Sequence, residues 1–177
     1  MIPDLAIEAL DLATAGERLR ALRVLLRDAI DDGASVGFLA TATDEQIDAY
    51  WRQALEEVAV GRRVVFAALR GAQVVGSVQL VFAAQQNAPH RAEVQRLLVL
   101  RSQRRAGIGR CLMAALERAA LDRGYSLLVL NTRAGDPPEA LYRSIGYEPI
   151  GRVPGFALNP DGTPNDTMLL YKRLSGA

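Results

Sequence analysis

The sequence is short of the residues on which several kinds of chemistry depend. Cys111 is its only cysteine and His90 its only histidine. An internal disulfide is therefore impossible, and so are a cysteine-rich zinc site, a histidine-pair metal motif and a catalytic triad that needs a second histidine. No metal is expected. An excess of either charge is lacking too. With 21 Lys and Arg against 20 Asp and Glu the formal net charge is +1, whereas nucleic acid or an acidic membrane surface calls for a concentrated basic field. No apolar run approaches the roughly 18 to 20 uncharged residues of a membrane span. The first residues show neither the basic start nor the apolar core of a secretory signal. A cytoplasmic enzyme or binding protein, with neither nucleic acid nor membrane as partner, is the expectation.

What the chain does have is ordinary globular composition, 50% hydrophobic and 23% charged over 177 residues, enough for one domain over residues 1–177 and short for two. Leu5 to Leu10 alternates as a first strand. From about Gly16, Leu19, Leu22, Leu26, Ala29 and Ile30 fall on one helical face. Asp31-Asp32-Gly33 closes that helix. The segment Gly33 to Leu39, apolar between two glycines, is either a plain connection or a loop packed down as the wall of a pocket. Thr43-Asp44-Glu45-Gln46 fits a capping box, followed by a buried face of Ile47, Tyr50, Trp51, Ala54, Leu55 and Val58, with Gly61 as the stop. Arg63 to Leu69 and Gln73 to Ala83 form a hairpin about Gly71, and the polar stretch Gln85 to His90 is a turn.

Arg91 to Val99 is the next strand. It runs through a basic turn into Arg104-Arg105-Ala106-Gly107-Ile108-Gly109-Arg110, after which Leu112, Ala115, Leu116 and Ala119 take helical spacing to about Arg123. The continuously apolar Leu127 to Leu130 lies in a strand from Tyr125 to Asn131 that is covered on both faces, so strand, helix and strand suggest a parallel crossover. Asp136-Pro137-Pro138-Glu139 starts a short helix with an acidic cap, whose apolar face is Ala140, Leu141, Ser144 and Ile145. Tyr147 to Phe156 and Thr167 to Lys172 are closing strands around the Asn159 to Pro164 turn cluster.

The glycine turn has a physical use. A helix N-terminus carries N–H groups without intrahelical partners and a partial positive charge, and phosphate is its natural guest. Gly107 and Gly109 let an anion approach the main chain, and Arg104, Arg105 and Arg110 add charge. The bland alternative is a turn that merely starts a helix. A dinucleotide fingerprint needs glycine where Leu112 stands, and no Gly-Lys-Ser/Thr of a P-loop exists.

The Arg104-x-x-Gly107-x-Gly109 pattern resembles the acyl-CoA pyrophosphate loop of the GNAT (GCN5-related) N-acetyltransferases. Glu139-Ala140-Leu141-Tyr142-Arg143-Ser144-Ile145-Gly146-Tyr147 is similar to that family's second signature, and the element order resembles its fold across almost the whole chain. The resemblance implies an α/β (α+β) fold, a mixed central sheet of about seven strands flanked by about four helices. It also implies acetyl-CoA as the acyl donor and a small-molecule amine as acceptor. Within the family, Gly33 to Phe38, Arg91 to Gln95, Pro154-Gly155-Phe156 and Pro160-Asp161-Gly162 resemble the tabtoxin-resistance acetyltransferases, which act on a β-lactam amino-acid toxin. In that group the strand corresponding to Leu128 to Thr132 ends in an acidic pair around a threonine, whereas this chain has Asn131-Thr132-Arg133. The substitution changes which amine is welcome.

The resemblance implies roles residue by residue. The backbone of Leu97, Leu98 and Val99 holds the thioester arm, and Gln103, Arg104, Arg105, Ala106, Gly107, Ile108, Gly109 and Arg110 take the pyrophosphate. Glu93, on one strand face with Gln95 and Leu97, is the candidate base; the alternative is a solvated carboxylate paired with Arg91. Tyr142, one residue from the Leu141/Ile145 face, is the candidate acid for the departing thiolate, or else a packing aromatic. Asn131 orients the amine or binds coenzyme, or is simple turn chemistry. His90 is expected in a turn, Cys111 in the core, and Tyr50 and Trp51 chiefly in the core. The alternatives to a small-molecule acetyltransferase are a protein or peptide N-terminal acetyltransferase and an acyl-CoA sensor without turnover. The assembly is expected to be a monomer or homodimer.

Overall fold

Apolar runs of two periods, alternating and helical, become a sheet with helices on both of its faces. In the computed structural model, which describes residues 2–175, strand β1 (Leu5–Ala9) leads through helices α1 (Leu12–Asp31) and α2 (Asp44–Ala59) to strands β2 (Arg63–Arg70), β3 (Gln73–Phe82) and β4 (Arg91–Val99). A 3-10 turn at Arg101–Gln103 precedes helix α3 (Ile108–Asp122), strand β5 (Leu127–Arg133), helix α4 (Pro137–Ser144), and strands β6 (Glu148–Leu158) and β7 (Pro164–Arg173). The strands make one sheet in the order β1-β2-β3-β4-β5-β7-β6. Only β4 and β5 run parallel, joined across α3 as a crossover requires.

Two apolar layers sandwich the sheet. On one face Leu112, Met113 and Leu116 of α3 and Tyr142 of α4 pack with Val78, Leu80, Ala92, Val94 and Leu128. On the other, Leu22, Leu26 and Ile30 of α1 and Ile47, Trp51 and Leu55 of α2 pack with Val65, Ala67, Leu69 and Leu98. Trp51 is fully buried. Helix α2 begins at the expected capping box, with the Gln46 N–H donating to Thr43 Oγ1 and the Thr43 N–H donating to Gln46 Oε1 at 2.8 Å.

Several boundaries differ from the sequence reading for local reasons. Helix α1 starts at Leu12, so Gly16 lies inside it. Strand β5 extends to Arg133 because β7 pairs with it that far, Thr167 standing opposite Arg133. Asp136 is the α4 N-cap but makes no side-chain capping bond, since its carboxylate accepts from Arg133 instead, at 2.7 Å. No helix among the described residues is long and apolar enough to cross a membrane.

Candidate functional site

The centre of the sheet opens where β4 and β5 part. They pair only through Arg91–Leu127, Ala92–Leu128 and Glu93–Val129. Beyond Glu93, β4 stays with β3 and β5 with β7. A bulge accompanies the divergence. Gln79 of β3 faces Gln95, but Ser77 faces Leu98, so β4 carries one extra residue. Arg96 takes it up with a left-handed φ of 51°, and such an insertion bends and twists its strand.

The bulge also resets which way side chains point. Ala92 and Val94 pack toward α3, placing Glu93 and Gln95 on the α1/α2 face. After Arg96 the alternation is reversed, with Leu97 packed toward α3 and Leu98 toward α1 and α2. Glu93, Gln95 and Leu97 therefore do not share one face. The physical reason is the extra residue, which shifts a period of two by one.

At the end of β4 the glycine turn leads into α3. Gly107 is its N-cap at φ 80° with no side-chain capping bond, and Arg105 is also left-handed at φ 61°. The first bond into the helix runs from the Cys111 N–H to the Gly107 carbonyl, 3.2 Å. Among the described residues, the N–H groups from Arg105 through Arg110 meet no acceptor. Successive free N–H groups around left-handed residues at a helix N-terminus form an anion cradle, and a phosphate-bearing group fits it.

The charged neighbours are distributed unevenly. Arg104 turns away to α1, donating to the Val99 carbonyl at 3.2 Å and pairing with Asp32. Arg110 donates to Ser144 Oγ at 2.8 Å, and Gln103 accepts from Arg70 at 2.7 Å. Of the three arginines expected to add charge, Arg105 alone is exposed without a partner among the described residues. Gly109 has a packing reason besides approach. A Cβ there would lie 3.1 Å from Leu141 Cδ2 and 3.8 Å from Leu97 Cδ2, so the ends of β4, α3 and α4 converge on it.

Tyr142 follows Leu141 at this junction. It is the buried residue of α4, at 6% exposure, while Ala140 and Ser144 are exposed and Leu141 and Ile145 only partly covered. The expected face of Ala140, Leu141, Ser144 and Ile145 is thus rotated by one position, because the aromatic ring claims the space beside Tyr147, 5.7 Å between ring centres. Burial pushes the Tyr142 hydroxyl well above its usual range, so it stays protonated. Asn131 lies inside β5 opposite Leu169, with its side chain exposed. The His90 carbonyl receives the Ser126 and Leu127 N–H groups in a turn, and Cys111 is partly covered on α3.

On the α1/α2 face the sheet carries a polar row that sequence reading missed. Gln79 is fully buried, and its Oε1 accepts from the Tyr50 hydroxyl at 2.9 Å and from Arg63. Arg63 also holds Glu57, Nε to Oε2 at 2.8 Å, and approaches Gln95 at 3.4 Å. A glutamine, with Ser77, inside the otherwise apolar Val74 to Phe82 run was the available signal. Over this row lies the 33–39 loop, with Gly33 and Gly37 both at φ 80°. Its Ala34, Val36 and Phe38 pack against the α1/α2 core, so the segment is a packed-down loop. The loop is tied to the β6–β7 turn by the Ala40 N–H on the Pro160 carbonyl, 2.8 Å, and by Asn165 Nδ2 on Ser35 Oγ, 3.2 Å.

Comparison with known proteins bears on this arrangement. Residues 27–147 match the model of the Acetyltransferase (GNAT) family. An uncharacterized N-acetyltransferase from Azospirillum brasilense is 30% identical over 132 residues, 73% of this chain and 76% of that one. The crystal structure of ribosomal-protein-alanine N-acetyltransferase from Brucella melitensis superposes with a TM-score of 0.78 at 25% identity, covering 96% of this chain and 99% of that one. A Salmonella typhimurium protein solved with its cofactor acetyl-CoA superposes with a TM-score of 0.78 at 16% identity, over 98% and 95% of the two chains.

Proposed function

The chain belongs to the acetyltransferase (GNAT) family and is an acyltransferase, and from that premise we propose that it transfers the acetyl group of acetyl-CoA to the primary amine of a small, amino-acid-like molecule by direct attack on the thioester. The observation that carries this reading is the position of the free N–H run of Arg105 to Arg110. It lies at the end of the strand that leaves its partner just after Glu93.

In this reading the turn from Gln103 to Arg110 takes the pyrophosphate mainly through main chain, with Arg105 as the free cation and Arg104 anchored on Asp32. The backbone of Leu97, Leu98 and Val99 faces the thioester arm. Acetyl-CoA supplies an acyl carbon already joined to a good leaving group. Glu93 accepts the proton of the incoming ammonium, directly or through water, and the nitrogen then forms its bond to the carbonyl carbon as the carbon–sulfur bond breaks. Tyr142, kept neutral by burial, gives its hydroxyl proton to the departing sulfur and regains one from the nitrogen, which sheds its second proton as it becomes an amide. Asn131, exposed at the opposite strand, contacts coenzyme or amine.

The likeness to tabtoxin-resistance acetyltransferases supports an amino-acid-like toxin or antibiotic as acceptor. A second reading, transfer to a protein N-terminus, is favoured by the Brucella relative's description. The tie between the 33–39 loop and the β6–β7 turn supports a small acceptor over an extended peptide. Thiol release from acetyl-CoA, measured against amino acids, β-lactam amino acids, aminoglycosides, polyamines and an N-terminal peptide, separates them. Release with small amines is expected; release with the peptide alone would replace this reading. A sensor without turnover would bind acetyl-CoA and release thiol with nothing.

A further inference from the structure

Two guanidinium groups, one from each parting strand, reach the loop between α1 and α2, and they are committed very differently. Arg133 of β5 is paired with a carboxylate and bonded three times, with Nε on Asp136 at 2.7 Å and Nη1 on both the Gly33 carbonyl at 3.0 Å and Asn159 Oδ1 at 2.8 Å. Its charge is neutralised and its position fixed, so it acts as a brace between loop, turn and α4. Arg96 of β4 makes one hydrogen bond, from Nη1 to the Val36 carbonyl. Its Nε is buried without a partner, and no carboxylate among the described residues pairs with it. A guanidinium offers five N–H donors, and a partly covered cation lacking an anion is an expensive arrangement unless a ligand completes it.

The chain takes steps to hold Arg96 in that state. Its left-handed backbone at the bulge turns the side chain onto the same α1/α2 face as Glu93. The guanidinium sits 4.5 Å over the Tyr50 ring and 5.6 Å from the Phe38 ring centre, contacts that orient a cation without neutralising it. Gly37 leaves it room, since a Cβ there would come within 3.0 Å of Nη2. A carboxylate at Glu93 and an unpaired guanidinium at Arg96 thus stand on one face of one strand. Their Cα atoms are separated by about 10 Å of strand, which the two side chains and a small zwitterion span.

We infer that Arg96 selects the acceptor, binding the carboxylate of an amino-acid-like zwitterion whose amine is presented to Glu93. This rests on the small-amine reading above and names the feature of the amine that is recognised. The test is initial-rate thiol release from acetyl-CoA by the full chain, with the common L-amino acids and β-lactam amino acids run beside their C-terminal amides. Wild type is expected to favour acid over amide by about tenfold or more in kcat/KM, the worth of one charge-assisted contact. In Arg96→Met the KM for the acid rises by about that factor and the preference disappears, while kcat and the KM for the amide change little. Arg96→Lys, which keeps the charge, recovers part of the preference. Equal losses on acid and amide, or a wild type indifferent to the carboxylate, would overturn the inference and leave Arg96 as a loop strap. Release with no amine while acetyl-CoA still raises the Tm would overturn the small-amine reading and this inference together.

Discussion

The two sides of the β4–β5 opening are built from different materials. Toward α3 the site is main chain: free N–H groups from Arg105 to Arg110, set by left-handed residues at 105 and 107 and backed by the packing of Leu97, Gly109 and Leu141. Toward α1 and α2 it is side chain: Tyr50, Arg63, Gln79, Gln95 and Arg96, from α2 and three strands, under a loop braced by Arg133. Backbone donors suit a ligand that never changes, because any sequence supplies them once the turn is formed. Side-chain donors suit a ligand to be chosen, because one substitution alters them.

That division can be attacked from each side. The largest effect is expected from Glu93→Gln, which removes the proton acceptor and keeps the shape. Turnover should fall by about 10²-fold or more with acetyl-CoA affinity unchanged by calorimetry; wild-type kcat would take the chemistry away from the side-chain half. Gly107→Val attacks the other half, forcing a β-branched residue into φ 80° at the cradle. Acetyl-CoA binding should weaken about tenfold or more, and equal affinity would show that the turn holds nothing.

A third test concerns the junction of the halves. Burial raises the hydroxyl pKa of both Tyr142 and Tyr147, with Glu117 adding to the shift at Tyr147. In the unfolded chain both ionise near pH 10. The stability from keeping them neutral is therefore complete below pH 10 and lost as pH rises beyond it, by about 1.4 kcal/mol per pH unit for each tyrosine. Urea unfolding of Tyr142→Phe should show a shallower alkaline decline than wild type, and an identical slope would mean that this ring is not held neutral. Thr43→Ala serves as the smallest perturbation. Losing the capping box of α2 should cost about 1 kcal/mol and leave donor and acceptor constants alone; a selective rise in acceptor KM would show that α2 is coupled to the side-chain half.

How much of this was legible follows the same division. The capping box at Thr43, the Arg104-x-x-Gly107-x-Gly109 turn and the Leu127 to Leu130 strand were readable because each depends on neighbours a few residues away, through helix period, glycine conformation or an unbroken apolar run, although in that strand only Leu128 and Leu130 are buried and Leu127 and Val129 are half-covered. Arg133 looked like a specificity change when read along the chain, yet its partners Gly33 and Asn159 stand far away in sequence, and no local pattern announces them. Tyr142 was located, but its burial depends on Tyr147 and the packing of α4.

By itself the sequence determined the order of elements, the parallel crossover and the anion cradle, since spacing, capping and glycine placement act over a single turn. Only the tertiary structure decided the facing of β4. One extra residue at Arg96, invisible in an unbroken strand pattern, exchanges the two faces of the sheet beyond it. It sends Leu97 to the α3 side and Arg96 to the α1/α2 side, because side-chain direction in a strand has a period of two and a single insertion inverts it.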